Sequence, residues 1–174
     1  MRGSAVGERF GLEDFLYVGV WCRTEDELAE QLQRHRAGGK TVVSTNGCFD
    51  ILNLAHLRML QEAADQGDIL VVGVNSDHSI KGLKGAGRPI RPEEERVQLV
   101  AALDRVDYAI LFDEHDCSSF VRRVSPDVHV NDASYGEDCV EAEAVREGGG
   151  RLHLIDKFEW ESNSELLDRI RSGQ

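Results

Sequence analysis

Basic residues are scarce in this sequence: 20 Lys and Arg stand against 32 Asp and Glu, which gives a formal net charge of −12. Neutralising the phosphates of a nucleic acid needs clustered Lys and Arg, and so does docking on an anionic lipid surface. We therefore expect neither nucleic acid nor a membrane as a partner. A small anionic ligand remains compatible, because a local group of basic side chains and helix N-termini can bind phosphate.

Cysteine pairs and long apolar runs are also missing. The four cysteines are Cys22, Cys48, Cys117 and Cys139, and no two of them stand at C-x-x-C spacing, so we expect no zinc site and no other metal site. Their wide separation and the lack of a signal-peptide pattern favour reduced, mostly buried thiols in a cytoplasmic protein. No apolar run approaches the roughly 18 residues of a membrane span.

The chain of 174 residues is long enough for one domain with a substantial core. We divide it into an N-terminal extension with a helix, residues 1–39, and a main domain, residues 40–174. Residues 15–21 are apolar and fit either an added strand or a segment packed on the main body. The extension's helix begins after Thr24, a good N-cap, and the following acids suit the positive end of the helix dipole.

Strand and helix patterns alternate from Lys40 onward. Apolar, β-branched runs predict strands at 41–45, 69–74, 108–112, 128–130 and 151–155. Helical patterns are found at 51–65, after Pro92, and at 120–124, 140–146 and 164–170. This order predicts an α/β fold: a Rossmann-like, doubly wound parallel sheet of about five strands with helices on both faces. Ligands of such sheets bind at the carboxyl ends of the strands.

The stretch 45–56, Thr-Asn-Gly-Cys-Phe-Asp-Ile-Leu-Asn-Leu-Ala-His, is the strongest candidate for a ligand site. A strand ends at Thr45, and a helix begins a few residues later. Gly47 lets the backbone approach a ligand closely, and the unpaired N–H groups of a helix start bind phosphate. His56, about one turn into the helix, is placed to reach the same phosphates.

These residues resemble the signature of the cytidylyltransferase-like nucleotidyltransferases, T-x-G-x-F-D followed by H-x-G-H. The resemblance runs from about Lys40 to about Ile170 and includes three further blocks. Those blocks are similar to the adenylyltransferase domain that makes ADP-heptose from heptose 1-phosphate. They are residues 73–77 (Gly-Val-Asn-Ser-Asp), residues 81–85 (Lys-Gly-Leu-Lys-Gly), and Arg88, Pro89, Pro92 and Arg96 with residues 102–107 (Ala-Leu-Asp-Arg-Val-Asp).

The resemblance implies a reaction in which a substrate phosphate attacks the α-phosphorus of a nucleoside triphosphate and pyrophosphate leaves. Catalysis then consists mainly of positioning and charge neutralisation. By resemblance, His56 holds the triphosphate, and Lys84 assists from a mobile, glycine-flanked loop at residues 81–87. Asn53 completes the catalytic set. Mg²⁺ is expected, held by the nucleotide phosphates and water. Related domains are commonly dimers, so we expect a homodimer.

The resemblance also assigns binding residues. The residues expected to bind nucleotide are Thr45, Asn46, Gly47, Phe49, Arg88, Arg96, Ser162, Asn163 and Ser164. The residues expected to bind the small phosphorylated substrate are Asp50, Asn75, Asp77 and Asn131.

Three departures from the family pattern bear on activity. The H-x-G-H motif reads Asn-Leu-Ala-His at residues 53–56, so an uncharged amide replaces the first imidazole. A Lys-Gly-Gly-Asp-Tyr stretch reads Asn-Asp-Ala-Ser-Tyr at 131–135, and a late Ser-Thr-Thr reads Ser-Asn-Ser at 162–164. Charged donors bind anions more strongly than neutral ones. The first two changes therefore indicate a changed substrate or a weakened enzyme.

Three functions follow from these patterns. An adenylyltransferase acting on a sugar phosphate is favoured by His56 and the block from Lys81 to Arg96. A cytidylyltransferase acting on a polyol phosphate or phosphonate is the second. A non-catalytic homologue that binds nucleotide or a protein partner is the third, and Asn53 and Asn131 favour it.

Overall fold

The computed structural model of the chain describes residues 19–85, 87–156 and 163–173, in which strands and helices alternate. The strands are β1 (Val20–Cys22), β2 (Val42–Gly47), β3 (Ile69–Asn75), β4 (Tyr108–Phe112), β5 (Val128–Asp132) and β6 (Arg151–Ile155). The helices are α1 (Glu25–Ala37), α2 (Leu54–Ala64), α3 (Asp77–Lys84), α4 (Glu93–Ala101), α5 (Ser118–Val124), α6 (Ala142–Glu147) and α7 (Asn163–Ser172). Within these described ranges, no helix has the length and apolar character needed to cross a bilayer.

All strand pairs in the sheet are parallel, and the strand order is β1-β4-β3-β2-β5-β6. The predicted doubly wound parallel sheet is therefore confirmed, with six strands in place of about five. The additional strand is β1, which pairs with β4 in the register Val20 to Tyr108. It falls at the end of the apolar segment 15–21, of which residues 15–18 lie outside the described part of the chain.

The core consists of two apolar layers, one on each face of the sheet. Every residue of β3 is buried, so its side chains alternate between the two layers. On one face, β1 and β4 pack with α1, α5 and α6. On the other, residues of β2, β3 and β5 pack with α2 and α4. The continuous apolar runs predicted as strands are thus covered by helices on both faces.

The N-terminal helix shares this core. The Thr24 Oγ1 accepts a hydrogen bond from the Glu27 N–H at 3.2 Å and caps α1, while Leu28 and Leu32 are buried on the same face of the sheet as Tyr108. The boundary at residue 40 between an extension and a main domain stays a prediction. The structure adds that β1 and α1 complete one edge and one face of the common sheet.

The predicted mobile loop at residues 81–87 is wrong in its first half, because Lys81 and Lys84 lie in the last turn of α3. The Ser76 Oγ accepts from the Ser79 N–H at 3.0 Å and caps this helix, and Ile80 anchors it in the interior. Gly82 serves close packing, since a Cβ there would lie 2.2 Å from the His115 ring. The helix ends at Gly85, whose φ of 89° suits glycine.

Candidate active site

The candidate site lies at the carboxyl edge of the sheet, where the strand order reverses. From β2 the chain continues through β3 to β4 in one direction, and β5 then pairs on the opposite side of β2. A crevice outside the carboxyl ends of β2 and β5 is where doubly wound sheets bind ligands. Gly47 ends β2 there, Asp132 ends β5, and six residues separate the end of β2 from the start of α2. The structure thus places residues 45–56 at the expected edge.

The turn between β2 and α2 is tightly packed around Phe49. This residue has a φ of 46°, a left-handed conformation that non-glycine residues adopt at a cost of about 1–3 kcal/mol, and its side chain is 1% exposed. A Cβ at Gly47 would lie 3.2 Å from the Phe49 ring. The two predicted nucleotide-binding residues therefore fix the backbone of the turn against each other, and Phe49 itself is inside the core.

The start of α2 is closed by a reciprocal capping box between Asn53 and His56. The Asn53 Oδ1 accepts from the His56 backbone N–H at 3.1 Å, and the His56 Nδ1 accepts from the Asn53 backbone N–H at 3.2 Å. A neutral His56 ring that accepts at Nδ1 carries its proton on Nε2. The capping hydrogen bond at Nδ1 therefore leaves the neutral His56 ring with an N–H donor at Nε2. The other capping hydrogen bond occupies the oxygen of the Asn53 amide.

Lys84 lies close enough to His56 to affect its titration. Burial of the His56 ring lowers its pKa, and the positive charge of Lys84 lowers it further. Lys84 itself is exposed at the end of α3. The end of α3 therefore brings a positive charge within electrostatic reach of the first turn of α2.

This proximity gives a direct prediction for the pKa of His56. Replacing Lys84 by Met removes a positive charge that disfavours the imidazolium, so the pKa of His56 is expected to rise. NMR titration of the His56 ring measures it. Lys81→Met, one turn earlier on the same helix, is the matched control and is expected to leave the pKa of His56 unchanged. An unchanged His56 pKa in the Lys84→Met variant would show that Lys84 lies too far from His56 to affect it.

Asp50 and Arg88 form a buried ion pair beside this turn. The Arg88 Nη1 lies 2.5 Å from the Asp50 Oδ2, and the backbone N–H groups of Ile90 and Arg91 donate to Oδ1 at 2.7 and 3.1 Å. Burial opposes ionisation of Asp50, but these donors outweigh it and hold its pKa below the ordinary value. Asp50 was expected to bind substrate, and Arg88 was expected to bind phosphate. In the structure the two side chains form an ion pair with each other.

Arg96 is fully buried at the centre of a second network. Its guanidinium donates to the carbonyl oxygens of Cys48, Asn75 and Arg91 at 2.6, 2.7 and 3.0 Å, and to the Asp77 carboxylate at 2.8 Å. It has an exposure of 0%. The group expected to contact nucleotide phosphate thus joins the β2–α2 turn, the end of β3 and the start of α3.

The other predicted residues occupy varied positions. Thr45 is buried within β2, whereas Asn46 is partly exposed near its end. Asn75, at the end of β3, donates from Nδ2 to the Ser79 Oγ at 3.1 Å. Asn131, at the end of β5, donates from Nδ2 to the Glu141 carboxylate. Of the last three residues predicted to bind nucleotide, Ser162 lies outside the described residues. Asn163 and Ser164 begin α7, and their side chains lie outside what the structure describes.

The sequence patterns missed a buried group of potential ligands beside this edge. Cys117, His129 and Glu141 bring one sulfur, one ring nitrogen and one carboxylate oxygen within 4.8 Å of one another. The cysteine precedes α5, the histidine lies inside β5, and the glutamate precedes α6. Spacing rules search for ligands that are near in sequence, so they had no means of finding three residues joined only by the fold.

Comparison with known proteins identifies relatives over most of the chain. Residues 44–164 match the cytidylyltransferase-like family. The chain is 43% identical over 149 residues to the bifunctional protein HldE of Citrifermentans bemidjiense, covering 85% of this chain and 31% of that protein. It is 39% identical over 166 residues to the HldE of Photobacterium profundum, covering 95% and 34%. The chain therefore spans about a third of the length of the curated relatives it matches.

Solved structures show the same architecture. The lipopolysaccharide core biosynthesis protein from Thermoplasma volcanium is 32% identical and superimposes with a TM-score of 0.57, over 71% of this chain and 100% of that chain. The pantoate-beta-alanine ligase from Francisella tularensis superimposes with a TM-score of 0.58 over 82% of this chain and 68% of that chain. At 8% identity, the second likeness concerns the fold alone.

Proposed function

The chain belongs to the cytidylyltransferase-like family of nucleotidyltransferases, and from this premise we propose that it transfers AMP from ATP to a sugar phosphate such as heptose 1-phosphate. The observation that carries the proposal is the position of His56 in the first turn of α2, at the reversal of strand order and within electrostatic reach of Lys84. The HldE relatives and the adenylyltransferase-like blocks at residues 73–107 support the adenylyl and heptose choices. Neither a cytidylyltransferase nor a non-catalytic binder is favoured by them.

In the proposed reaction, an oxygen of the sugar phosphate attacks the α-phosphorus of ATP. A new phosphorus–oxygen bond forms, the bond to the bridging oxygen of the β-phosphate breaks, and pyrophosphate leaves with that electron pair. Negative charge moves onto the pyrophosphate as the bond breaks. The Nε2–H of His56 and the ammonium of Lys84 are suited to stabilise it, and the N-terminal N–H groups of α2 add to this field.

We assign the remaining predicted residues two kinds of role. Gly47 and Asn46 provide backbone and side-chain groups at the edge, and Ser162, Asn163 and Ser164 stay proposed nucleotide contacts. Asp50, Arg88 and Arg96 act by holding the turn and the flanking segments, because their charged groups are engaged with the protein. Asn131 stays a proposed substrate contact at the end of β5.

Mg²⁺ fits this site as a companion of the nucleotide. Among the described residues, the one cluster with metal-binding geometry is Cys117, His129 and Glu141, which includes no residue of 45–56. The start of α2 instead offers hydrogen-bond donors, and Lys84 adds a positive charge within electrostatic reach of His56; both suit phosphate oxygens. Mg²⁺ would therefore be held by the phosphates and water, and it would neutralise charge on the triphosphate.

Pyrophosphate release tests the proposed function. ATP, CTP, GTP and UTP are each incubated with heptose 1-phosphates, a polyol phosphate and a phosphonate in the presence of Mg²⁺. We expect release with ATP and heptose 1-phosphate above every other pair. Greater release with CTP and a polyol phosphate would favour the cytidylyltransferase. No release from any pair, with ATP still raising the melting temperature, would favour the non-catalytic binder.

Asn53→His is expected to separate a weakened enzyme from a re-specialised one. If Asn53 weakens an enzyme of the heptose type, the imidazole raises turnover on ATP and heptose 1-phosphate about tenfold, equivalent to about 1.4 kcal/mol. The change also replaces the oxygen that caps α2, so we expect the free energy of unfolding to fall by about 1 kcal/mol. The two measurements are pyrophosphate release and urea unfolding. High wild-type turnover with no gain in the variant would contradict the weakened-enzyme interpretation.

We also propose that two copies of the chain associate. Leu54 and Leu57 lie on neighbouring positions of α2 and are 51% and 42% exposed, which is an apolar surface suited to a partner. Sedimentation velocity at high micromolar concentration is expected to show a homodimer. A single monomeric species at that concentration would contradict it.

A further inference from the structure

Three buried side chains that no step of the proposed reaction uses meet beneath the carboxyl edge of the sheet. The Cys117 thiol, the His129 imidazole and the Glu141 carboxylate have their ligand atoms within 4.8 Å of one another. Their residues are 6%, 0% and 2% exposed. Buried side chains of these three types need partners, because burial removes the water that would otherwise solvate them.

The His129 ring is oriented by one hydrogen bond and left unsatisfied at its other nitrogen. Its Nδ1 lies 2.7 Å from the Ser44 Oγ, across the register that pairs β2 with β5. Its Nε2 is buried without a hydrogen-bond partner and lies 3.8 Å from the Glu141 Oε1, too far for a hydrogen bond. In the tautomer that donates from Nδ1 to the Ser44 Oγ, Nε2 offers a lone pair to the cluster.

Glu141 and Cys117 leave the cluster short of positive charge. The Glu141 carboxylate accepts from the Asn131 amide and from the Cys117 and Cys139 thiols, but no Lys or Arg of the described residues forms an ion pair with it. The Cys117 thiol is buried beside the same carboxylate. A cation in the middle would satisfy the carboxylate and the orphaned nitrogen together, and it would displace the thiol proton.

We propose that Cys117 Sγ, His129 Nε2 and a Glu141 carboxylate oxygen bind a divalent transition metal ion of the Zn²⁺ class. Sulfur, imidazole and carboxylate form a ligand set that Zn²⁺ accepts, with bonds of about 2.0–2.3 Å and ligand atoms about 3.3–3.8 Å apart in a tetrahedron. The 3.8 Å between the His129 Nε2 and the Glu141 Oε1 is within a few tenths of an ångström of the spacing of about 3.3–3.6 Å for a nitrogen and an oxygen ligand. Ser44 and Asn131 are positioning residues, which hold the imidazole and the carboxylate as outer-shell partners do.

The proposed metal joins elements that support the active site. It links the segment before α5, the middle of β5 and the residue before α6, and its outer partner Asn131 is the next-to-last residue of β5. Metal binding therefore stabilises the fold at this edge. This inference stands apart from the proposed transfer reaction, because binding is measured without turnover.

Cobalt is the probe for the test. The full chain is stripped of metal with a chelator and titrated with Co²⁺. We expect one ion per chain, the visible absorption of a tetrahedral cobalt site and a thiolate-to-cobalt charge-transfer band, both lost on adding Zn²⁺. Zn²⁺ at about 100 times its Kd is expected to raise the melting temperature by about 5–10 °C. A folded chain that binds neither ion at micromolar concentration would overturn the proposal.

Variants assign the ligands. Cys117→Ser is expected to remove the charge-transfer band, and His129→Gln and Glu141→Gln to weaken binding at least about tenfold. Ser44→Ala is expected to weaken it about tenfold through the ring it orients. Cys22→Ser removes a buried thiol from the edge strand β1, away from the cluster. It is the control, and we expect it to keep the charge-transfer band. Persistence of the band in Cys117→Ser, or its loss in Cys22→Ser, would overturn the ligand set.

A measurement on the unaltered chain covers the case in which a variant fails to fold. X-ray absorption of the zinc-loaded protein is expected to show one sulfur at about 2.3 Å, with nitrogen and oxygen ligands at about 2.0–2.2 Å. A spectrum with nitrogen and oxygen ligands alone would exclude Cys117 and overturn the proposal.

Discussion

His56→Ala and Lys84→Ala are each expected to lower turnover by roughly a hundredfold or more, the scale seen when one charge-stabilising donor is removed from an active site. In the proposed reaction both groups donate to charge that grows on the departing pyrophosphate, so we expect their loss to raise the barrier more than it weakens ATP binding. The capping box gives His56 its donor at Nε2, and the positive charge of Lys84 lies near enough to lower the His56 pKa. Steady-state pyrophosphate release measures the expected loss.

Controls separate chemistry from helix capping. His56→Ala also removes the Nδ1 that accepts from the Asn53 backbone N–H. Gln at this position keeps a capping box through its side-chain oxygen but lacks the imidazole Nε2. His56→Gln is therefore expected to keep wild-type stability while losing turnover. For Lys84, the matched control is Lys81→Ala on the same helix, expected to stay near wild type. Full turnover in His56→Gln and His56→Ala would remove His56 from the mechanism.

Arg96→Met is expected to lower the free energy of unfolding by about 3–5 kcal/mol, the range for breaking a buried charge pair by removing one partner. The carbonyl oxygens of Cys48, Asn75 and Arg91 would each lose a donor, and Asp77 would lose its cationic partner. Buried acceptors without donors are costly because no water replaces the lost bond. Urea unfolding, followed by circular dichroism, measures the difference.

Arg96→Lys decides between this role and the originally expected phosphate contact. A lysine keeps the positive charge that a phosphate needs, but its single ammonium cannot serve acceptors arranged around a planar guanidinium fork. We expect Arg96→Lys to be destabilised nearly as much as Arg96→Met. Arg91→Met is the control, since it breaks an exposed pair with Glu95, for which we expect a loss of at most about 1 kcal/mol. Wild-type stability with lost activity in Arg96→Lys would restore the phosphate role.

Much of the fold could be predicted because its signals are local. The apolar run of β3 is buried on both faces, as its composition indicates, and alternation of strands with helices predicts parallel pairing. The strand β1 was harder to identify. Three residues at a sheet edge carry little pattern of their own, and their place depends on pairing with β4, far along the sequence.

The roles of individual site residues were less accessible to sequence. A lysine between glycines predicts a loop, yet Ser76 caps a helix there and Ile80 is buried, so tertiary packing overrides the glycine at position 82. An arginine in a family motif looks the same whether it faces phosphate or carbonyl oxygens. Only the fold shows that Arg96 is enclosed and that Cys117, His129 and Glu141 meet.

The product formed from ATP and heptose 1-phosphate is the most direct test of the proposed transfer reaction. The chain is incubated with both substrates and Mg²⁺, and mass spectrometry and ³¹P NMR follow the nucleotide and the sugar. We expect ADP-heptose and pyrophosphate to appear in equal amounts, and to depend on His56 and Lys84. Conversion of CTP to a CDP-linked product with no ADP-heptose, or no coupled product from either nucleotide, would contradict the proposal.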